Sequence, residues 1–75
     1  MENKLKKIFS KILGVKESSI KYKTSPKNQK KWDSLAHMNL VMGLEKEFKI
    51  KFTDQEITEM LTFELIFDII KNKKS

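Results

Sequence analysis

The first apolar residues of the chain recur at the spacing of a helix. An apolar residue is followed by others three, four and seven positions later: Leu5, Ile8, Phe9 and Ile12. This spacing places all four on one face of a helix over about residues 2–13. Gly14 follows directly and can end the helix, because glycine readily adopts the left-handed conformation of a C-terminal cap.

A second helix is predicted over about residues 34–48, and it carries two apolar stripes. Asp33 is a favoured N-cap, which makes Ser34 the first helical residue. At about 100° per residue, one stripe is His37, Leu40, Val41, Leu44 and Phe48. The other stripe, roughly 140° away, is Leu35, Met38 and Met42. Only the first stripe can enter the core. The second either forms a docking surface for another protein or packs under the neighbouring loop.

Two shorter helices are predicted in the last third of the chain. Thr53 and Glu56 have the spacing of a capping box, which favours a short helix over about residues 54–60. Thr62 is the expected N-cap of a fourth helix over about residues 63–72. The inner face of this helix is Phe63, Ile66, Phe67 and Ile70.

The segment 14–33 is polar, is interrupted by Pro26 and shows no helical or strand periodicity. The chain is therefore predicted to be all-α, a single domain over residues 1–75. Its expected architecture is a small four-helix bundle with a long loop between the first two helices and a short third helix. We expect Trp32, at the end of the loop, to cover the core, because aromatic side chains supply much of the buried area in small domains.

Charge is distributed unevenly along the chain. The net charge is +6, and all 16 basic residues are lysine. Residues 1–31 have a net charge of +8, whereas residues 32–70 have a net charge of −5. The lysine-rich first half favours, as an alternative function, a basic helical module that binds nucleic acid or an anionic membrane surface. The absence of arginine argues against nucleic acid, because the guanidinium group is a preferred ligand for guanine and for phosphates.

Composition and spacing argue against several kinds of site. With no cysteine and one histidine, the chain can form neither a disulfide nor a cysteine-based metal site. A triad of Ser34, His37 and Asp33 is disfavoured, because a working triad needs the carboxylate on the far side of the imidazole. The N-terminal residues lack the continuous apolar stretch typical of a signal peptide, and no apolar run approaches the roughly 20 residues that span a bilayer. We expect a cytoplasmic monomer without stable membrane insertion.

These features together resemble the acyl carrier proteins, the four-helix domains that bind phosphopantetheine. The resemblance extends over roughly residues 1–70, and its central motif is Asp33-Ser34-Leu35. The other matching blocks are Ile12-Leu13-Gly14-Val15, Leu44-Glu45-Lys46-Glu47-Phe48, Asp54-Gln55-Glu56-Ile57 and the segment from Thr62-Phe63 to Asp68-Ile69-Ile70. The tripeptide alone is a weak signal, whereas its spacing to the other blocks in a chain of this length is specific.

The resemblance implies a carrier and not an enzyme. It implies that Ser34, flanked by Asp33 and Leu35, receives 4′-phosphopantetheine from coenzyme A through a phosphopantetheinyl transferase. The thiol of this arm holds acyl groups as thioesters for acyl-loading and acyl-transferring enzymes. Trp32 stands where fatty-acid carriers usually have a small residue, and in this the chain resembles dedicated stand-alone carriers rather than the general fatty-acid carrier.

In this family, partner enzymes dock mainly on the second helix, with the short third helix nearby. The resemblance therefore implies a partner surface formed by Leu35, Met38, Met42, Glu45, Glu47 and Ile57. Family members often have acids two and five residues after the serine, where this chain has Ala36 and Asn39. We therefore expect partner binding to depend less on acids near the serine than in other members, and more on the apolar residues and on the carboxylates near the end of the helix.

Overall fold

The computed structural model describes residues 2–74. The regular elements of these residues are all helices, with no strand among them, which confirms the all-α fold class. The elements are, in chain order, α1 (Glu2–Leu13), a short 3-10 turn (Glu17–Ser19), α2 (Ser34–Phe48), α3 (Asp54–Glu59) and α4 (Phe63–Lys74). The long loop between α1 and α2 is interrupted only by the 3-10 turn.

A single hydrophobic core lies between the helices, and the loops contribute to it. The buried residues of the helices are Leu5, Phe9, Leu13, Ala36, Leu40, Val41, Leu44, Phe48, Phe63, Ile66 and Ile70. The buried apolar residues of the loops are Ile20, Trp32, Phe52 and Met60. Helix α3 buries no residue completely. It is therefore held to the bundle by half-buried side chains and by the residues at its two ends.

Trp32 lies within this core, as its sequence position predicts. Its ring packs edge-to-face against Phe9 of α1, with the ring centroids 5.4 Å apart. Phe9 in turn packs edge-to-face against Phe63 of α4, at a centroid distance of 5.0 Å. Edge-to-face contacts of this kind stabilise beyond the area that they bury. The last residues of the long loop are therefore fixed to two helices immediately before α2 begins.

The long loop also covers the start of α4. The backbone N–H groups of Phe63 and Glu64 donate to the carbonyl oxygens of Thr24 and Tyr22, at 2.9 and 3.1 Å. The first N–H groups of a helix have no partner within it, so the loop supplies the acceptors that they need. The N–H of the third helical residue donates to the Thr62 side chain at 3.1 Å, which makes Thr62 the N-cap.

Two predicted helix ends differ from the structure. Helix α3 ends at Glu59 rather than at residue 60, because Met60 leaves helical geometry (φ −81°, ψ 66°) and is completely buried. Helix α4 continues to Lys74 rather than ending at residue 72. The reason is that its last lysines have partners elsewhere in the fold. Lys73 pairs with Glu56 at 2.8 Å, and Lys74 Nζ donates to the carbonyl of Phe48 at 3.3 Å.

Glu56 links α3 to the rest of the fold and predicts a specific acid sensitivity. Its carboxylate accepts the Thr53 N–H, while its own N–H donates to the Thr53 hydroxyl, which forms a capping box. The hydrogen bond from Lys73, together with that from the Thr53 backbone, lowers the pKa of Glu56 below its ordinary value. A lowered folded-state pKa gives stability that is present above the unfolded-state value and is lost as pH falls through the folded-state value.

We therefore expect Glu56→Gln to flatten the acid side of the stability profile. Urea unfolding should be measured at steps between about pH 7 and pH 3, with Glu59→Gln on the same helix as the control. Wild type and control should lose more stability than Glu56→Gln on going from neutral pH to below the unfolded-state pKa of a glutamate, about 4.3. Parallel curves for all three proteins would contradict this assignment.

Candidate functional site

The start of α2 is fixed by Asp33. Its backbone is extended (φ −100°, ψ −173°), and its side chain accepts the N–H of Ala36 at 2.8 Å. Its carbonyl oxygen accepts the N–H of His37, also at 2.8 Å. Asp33 is thus the N-cap. This cap and the buried side chain of Trp32, directly before it, together fix the start of α2.

Ser34 is the first residue of α2, and its side chain is exposed. Within residues 2–74 its hydroxyl takes part in no hydrogen bond, whereas the neighbouring Asp33 carboxylate is used by the cap. The hydroxyl is therefore accessible and held on a rigid element, and it contributes nothing to holding the fold together.

His37 does not act as a base for Ser34, because both of its ring nitrogens have other hydrogen-bond partners. Its Nδ1 accepts a hydrogen bond from the indole Nε1–H of Trp32 at 3.0 Å, and its Nε2 lies 3.1 Å from the carbonyl oxygen of Ile57. Both ring nitrogens are occupied, so the imidazole is not free to take a proton from the serine. The arrangement suits Ser34 as a point of attachment that another protein modifies, not as a nucleophile activated within this chain.

A groove of about 570 Å³, open to solvent, runs from Ser34 between α2 and α3. It is lined by Pro26, Trp32, Asp33, Ser34, His37, Met38, Ile57, Thr58, Met60 and Leu61. Most of this lining is apolar. The groove therefore offers a surface on which a flexible group attached at Ser34 can lie.

The second apolar stripe of α2 lies on the surface and does not pack under the loop. Leu35, Met42 and Met38 are 72%, 57% and 46% exposed. Met38 also lines the groove, as does half-buried Ile57. Of the residues expected at a partner surface, these two are brought together at the groove beside Ser34, while Leu35 and Met42 extend the apolar surface along α2.

Glu45 and Glu47 lie apart, and only Glu45 is on the side of α2 that carries Met38 and Met42, because it follows Met42 by three residues and Met38 by seven. Two helical residues that are two positions apart lie about 160° apart around the axis, so they point to different edges of α2. Glu45 Oε2 accepts the backbone N–H of Phe52 at 2.8 Å, and Glu47 pairs with Lys4 of α1 at 3.6 Å. Both carboxylates have partners within the fold, and their role in partner binding stays a prediction.

Several groove residues were missed by sequence analysis, namely Pro26, Thr58, Met60 and Leu61. No local pattern indicates them, because they reach the groove only through the placement of α3 against α2.

Within residues 2–74, no helix combines the length and apolar character needed to span a bilayer. The same residues contain no cluster of three or more histidine or acidic side chains that could hold a metal ion.

Comparison with known proteins identifies the family. No family model matches the chain. An acyl carrier protein of Buchnera aphidicola subsp. Baizongia pistaciae is 38% identical over 71 residues, which cover 95% of this chain and 91% of the relative. An acyl carrier protein of Buchnera aphidicola subsp. Schizaphis graminum is 37% identical over 73 residues, covering 97% and 92% of the two chains. The aligned lengths are nearly complete on both sides, and the chain therefore belongs to the acyl carrier protein family.

Proposed function

We propose that Ser34 is the residue of this carrier that bears 4′-phosphopantetheine. The observation that carries the proposal is the exposed, unbonded Ser34 hydroxyl at the Asp33-capped start of α2, on the rim of an apolar groove. When bound, the group supplies a terminal thiol that holds acyl groups as thioesters. The alternative of a basic module for nucleic acid or membranes finds no support in the similarity to acyl carrier proteins.

The residues around Ser34 suit a phosphodiester at this oxygen. The N-terminus of a helix favours negative charge, because its first N–H groups and the helix dipole point towards it. The first turn of α2 contains no acidic residue after the cap, so no neighbouring carboxylate on the helix opposes the phosphate. Attachment forms a bond from Ser34 Oγ to the coenzyme A phosphorus that bears pantetheine, and the bond from that phosphorus to the bridging pyrophosphate oxygen breaks, so that adenosine 3′,5′-bisphosphate leaves. The serine proton goes to a base of the transferase, since His37 and Asp33 are engaged.

The exposed apolar face of α2 is the surface on which we place partner enzymes. Leu35 and Met38 lie within one turn of the attachment point and Met42 one turn further along α2, and all three side chains are exposed. Methionine side chains adapt to differently shaped surfaces, which suits a carrier that meets a transferase and several acyl-handling enzymes in turn. That the protein serves a single dedicated pathway rests on Trp32 and on Ala36 and Asn39, which replace frequent acids of the family, and stays a prediction.

Mass spectrometry tests the attachment site directly. The purified protein should be incubated with coenzyme A and a broad-specificity phosphopantetheinyl transferase, and then weighed intact and after proteolysis. We expect a gain of one phosphopantetheine group, located on the peptide that contains Ser34. A protein that gains no mass, or that carries the group on another residue, would contradict the proposal.

Met42→Glu is expected to weaken recognition by the transferase. A carboxylate placed in an apolar contact must be desolvated without a partner, which costs about 1–3 kcal/mol or more. The kcat/KM for phosphopantetheine transfer should fall roughly tenfold. Leu65→Glu, which changes an exposed leucine on α4, is the matched control and should leave transfer unchanged. Equal rates for the two variants would show that this face does not contact the transferase.

A further inference from the structure

Three residues form a hydrogen-bonded bridge along the base of the groove. The indole N–H of Trp32 donates to Nδ1 of His37, at 3.0 Å. Because Nδ1 accepts, the neutral imidazole carries its proton on Nε2, which donates to the carbonyl of Ile57 at 3.1 Å. The two rings are nearly parallel, with an interplanar angle of 20° and centroids 6.1 Å apart. The bridge therefore joins the end of the long loop, α2 and α3.

Beneath the bridge, the space between α2 and α3 is filled. Trp32 is 1% exposed, and Met60 and Leu40 are completely buried. An apolar chain that passes from Ser34 into the core between Trp32, His37 and Ile57 breaks a hydrogen bond of the bridge or displaces the indole from Phe9. Either change leaves an N–H or a carbonyl without a partner in apolar surroundings, which is unfavourable. In residues 2–74, no buried side-chain nitrogen or oxygen lacks a partner, so the bridge is fully satisfied as it stands.

We propose that the Trp32–His37–Ile57 bridge is a barrier that keeps the tethered acyl group out of the core. The inference rests on Ser34 as the attachment site and adds the class of cargo. With the core closed, the tethered acyl chain can contact protein only along the groove, which is open to water on one side. The carrier is suited to short acyl groups, because a long apolar chain remains largely exposed.

Acyl groups of increasing length test the barrier. The transferase and butyryl-, octanoyl- or dodecanoyl-coenzyme A should be used to load the protein, with the adduct on Ser34 verified by mass. Tm and the emission of Trp32, the only tryptophan, are then measured. We expect the wild-type Tm to differ by less than about 2 °C across the series, with unchanged emission. Burial of the eight additional methylenes in the core would instead raise Tm by more than about 10 °C.

Variants at His37 test whether the bridge, and not another part of the groove, excludes the acyl chain. His37→Leu fills a similar space without hydrogen bonds, so Tm should rise with chain length and Trp32 emission should shift on loading. His37→Gln can accept from Trp32 and donate to Ile57, and should restore the flat wild-type series. Asn39→Leu adds a leucine to an exposed position of α2 and should also behave as wild type. If His37→Leu does not fold, Trp32→Phe takes its place, since it removes the indole N–H of the bridge, and its Tm should likewise rise with chain length.

The possible failures are distinguishable. Absence of any adduct on Ser34 overturns the attachment site, and the proposed cargo with it. A Ser34 adduct whose wild-type Tm and Trp32 emission change progressively with chain length overturns the barrier alone. A flat series in both wild type and a folded His37→Leu also overturns it, because the bridge would then not be what excludes the chain.

Discussion

Ser34→Ala is expected to abolish the attachment of phosphopantetheine and to leave the fold intact. The substitution removes the only atom at this position that can form the phosphodiester. The hydroxyl is exposed and forms no hydrogen bond within residues 2–74, so its loss should change the free energy of unfolding by less than about 0.5 kcal/mol. Alanine also has the higher helix propensity, and the Asp33 cap is retained.

Intact mass after incubation with coenzyme A and the transferase gives the result, and urea unfolding gives the stability. Ser18→Ala is the matched control, since Ser18 is an exposed serine in the 3-10 turn Glu17–Ser19. The control should gain the full mass of the group and Ser34→Ala none. Modification that persists in Ser34→Ala would place the group elsewhere. A Ser34→Ala protein that is unfolded would mean that the serine holds the structure, contrary to its lack of partners.

The starts of the helices could be predicted because capping is local. Asp33, Thr53 and Thr62 each accept a hydrogen bond from an N–H in the helix that directly follows. A side chain that satisfies the first N–H groups needs no information from the rest of the chain. The position of Ser34 at an exposed helix start follows from the same local chemistry.

The ends of α3 and α4 could not be predicted in the same way. Helix α4 gains its last two residues from contacts with Glu56 and with the Phe48 carbonyl, which are far away in sequence. Met60 leaves α3 because its side chain is taken into the core. In both cases tertiary contacts outweigh the modest helix propensities of the residues involved.

The groove depends on how α3 is set against α2, which no periodicity reveals. Lys49 ends α2 in the left-handed conformation (φ 56°, ψ 48°), an uncommon backbone for a residue other than glycine. Glu45 then accepts the N–H of Phe52 and holds the connecting segment. These two features turn the chain so that Ile57 faces His37 across the base of the groove.

The bridge itself had a partial signal in the sequence. Trp32 was expected to cover the core and His37 to face it, but their hydrogen bond was not predicted. A buried indole N–H needs an acceptor, and His37 lies close in sequence at the start of the next helix. The acceptor for the other nitrogen, the Ile57 carbonyl, is 20 residues further along the chain and becomes apparent only in the fold.

Trp32→Ala is expected to remove most of the stability of the domain. Truncation of a buried aromatic residue to alanine costs about 3–5 kcal/mol, and here the indole also carries one end of the bridge. Small domains have a total stability at the low end of about 5–15 kcal/mol, so a loss of this size leaves a substantial unfolded fraction. Urea unfolding followed by far-ultraviolet circular dichroism measures this loss without depending on the missing tryptophan.

Trp32→Phe separates the hydrogen bond of the indole from the packing of its ring, and Tyr22→Ala is the control for loss of an exposed aromatic side chain. Phenylalanine keeps an aromatic ring against Phe9 but leaves His37 Nδ1 without its donor, so a loss of about 1–3 kcal/mol is expected. Tyr22 is an exposed aromatic residue in the same loop and should cost less than about 1 kcal/mol when truncated. If Trp32→Ala cost no more than Tyr22→Ala, the indole would not be what fixes the loop to α1 before Ser34. If Trp32→Phe matched wild type, the hydrogen bond to His37 would contribute nothing to holding α2 and α3 together.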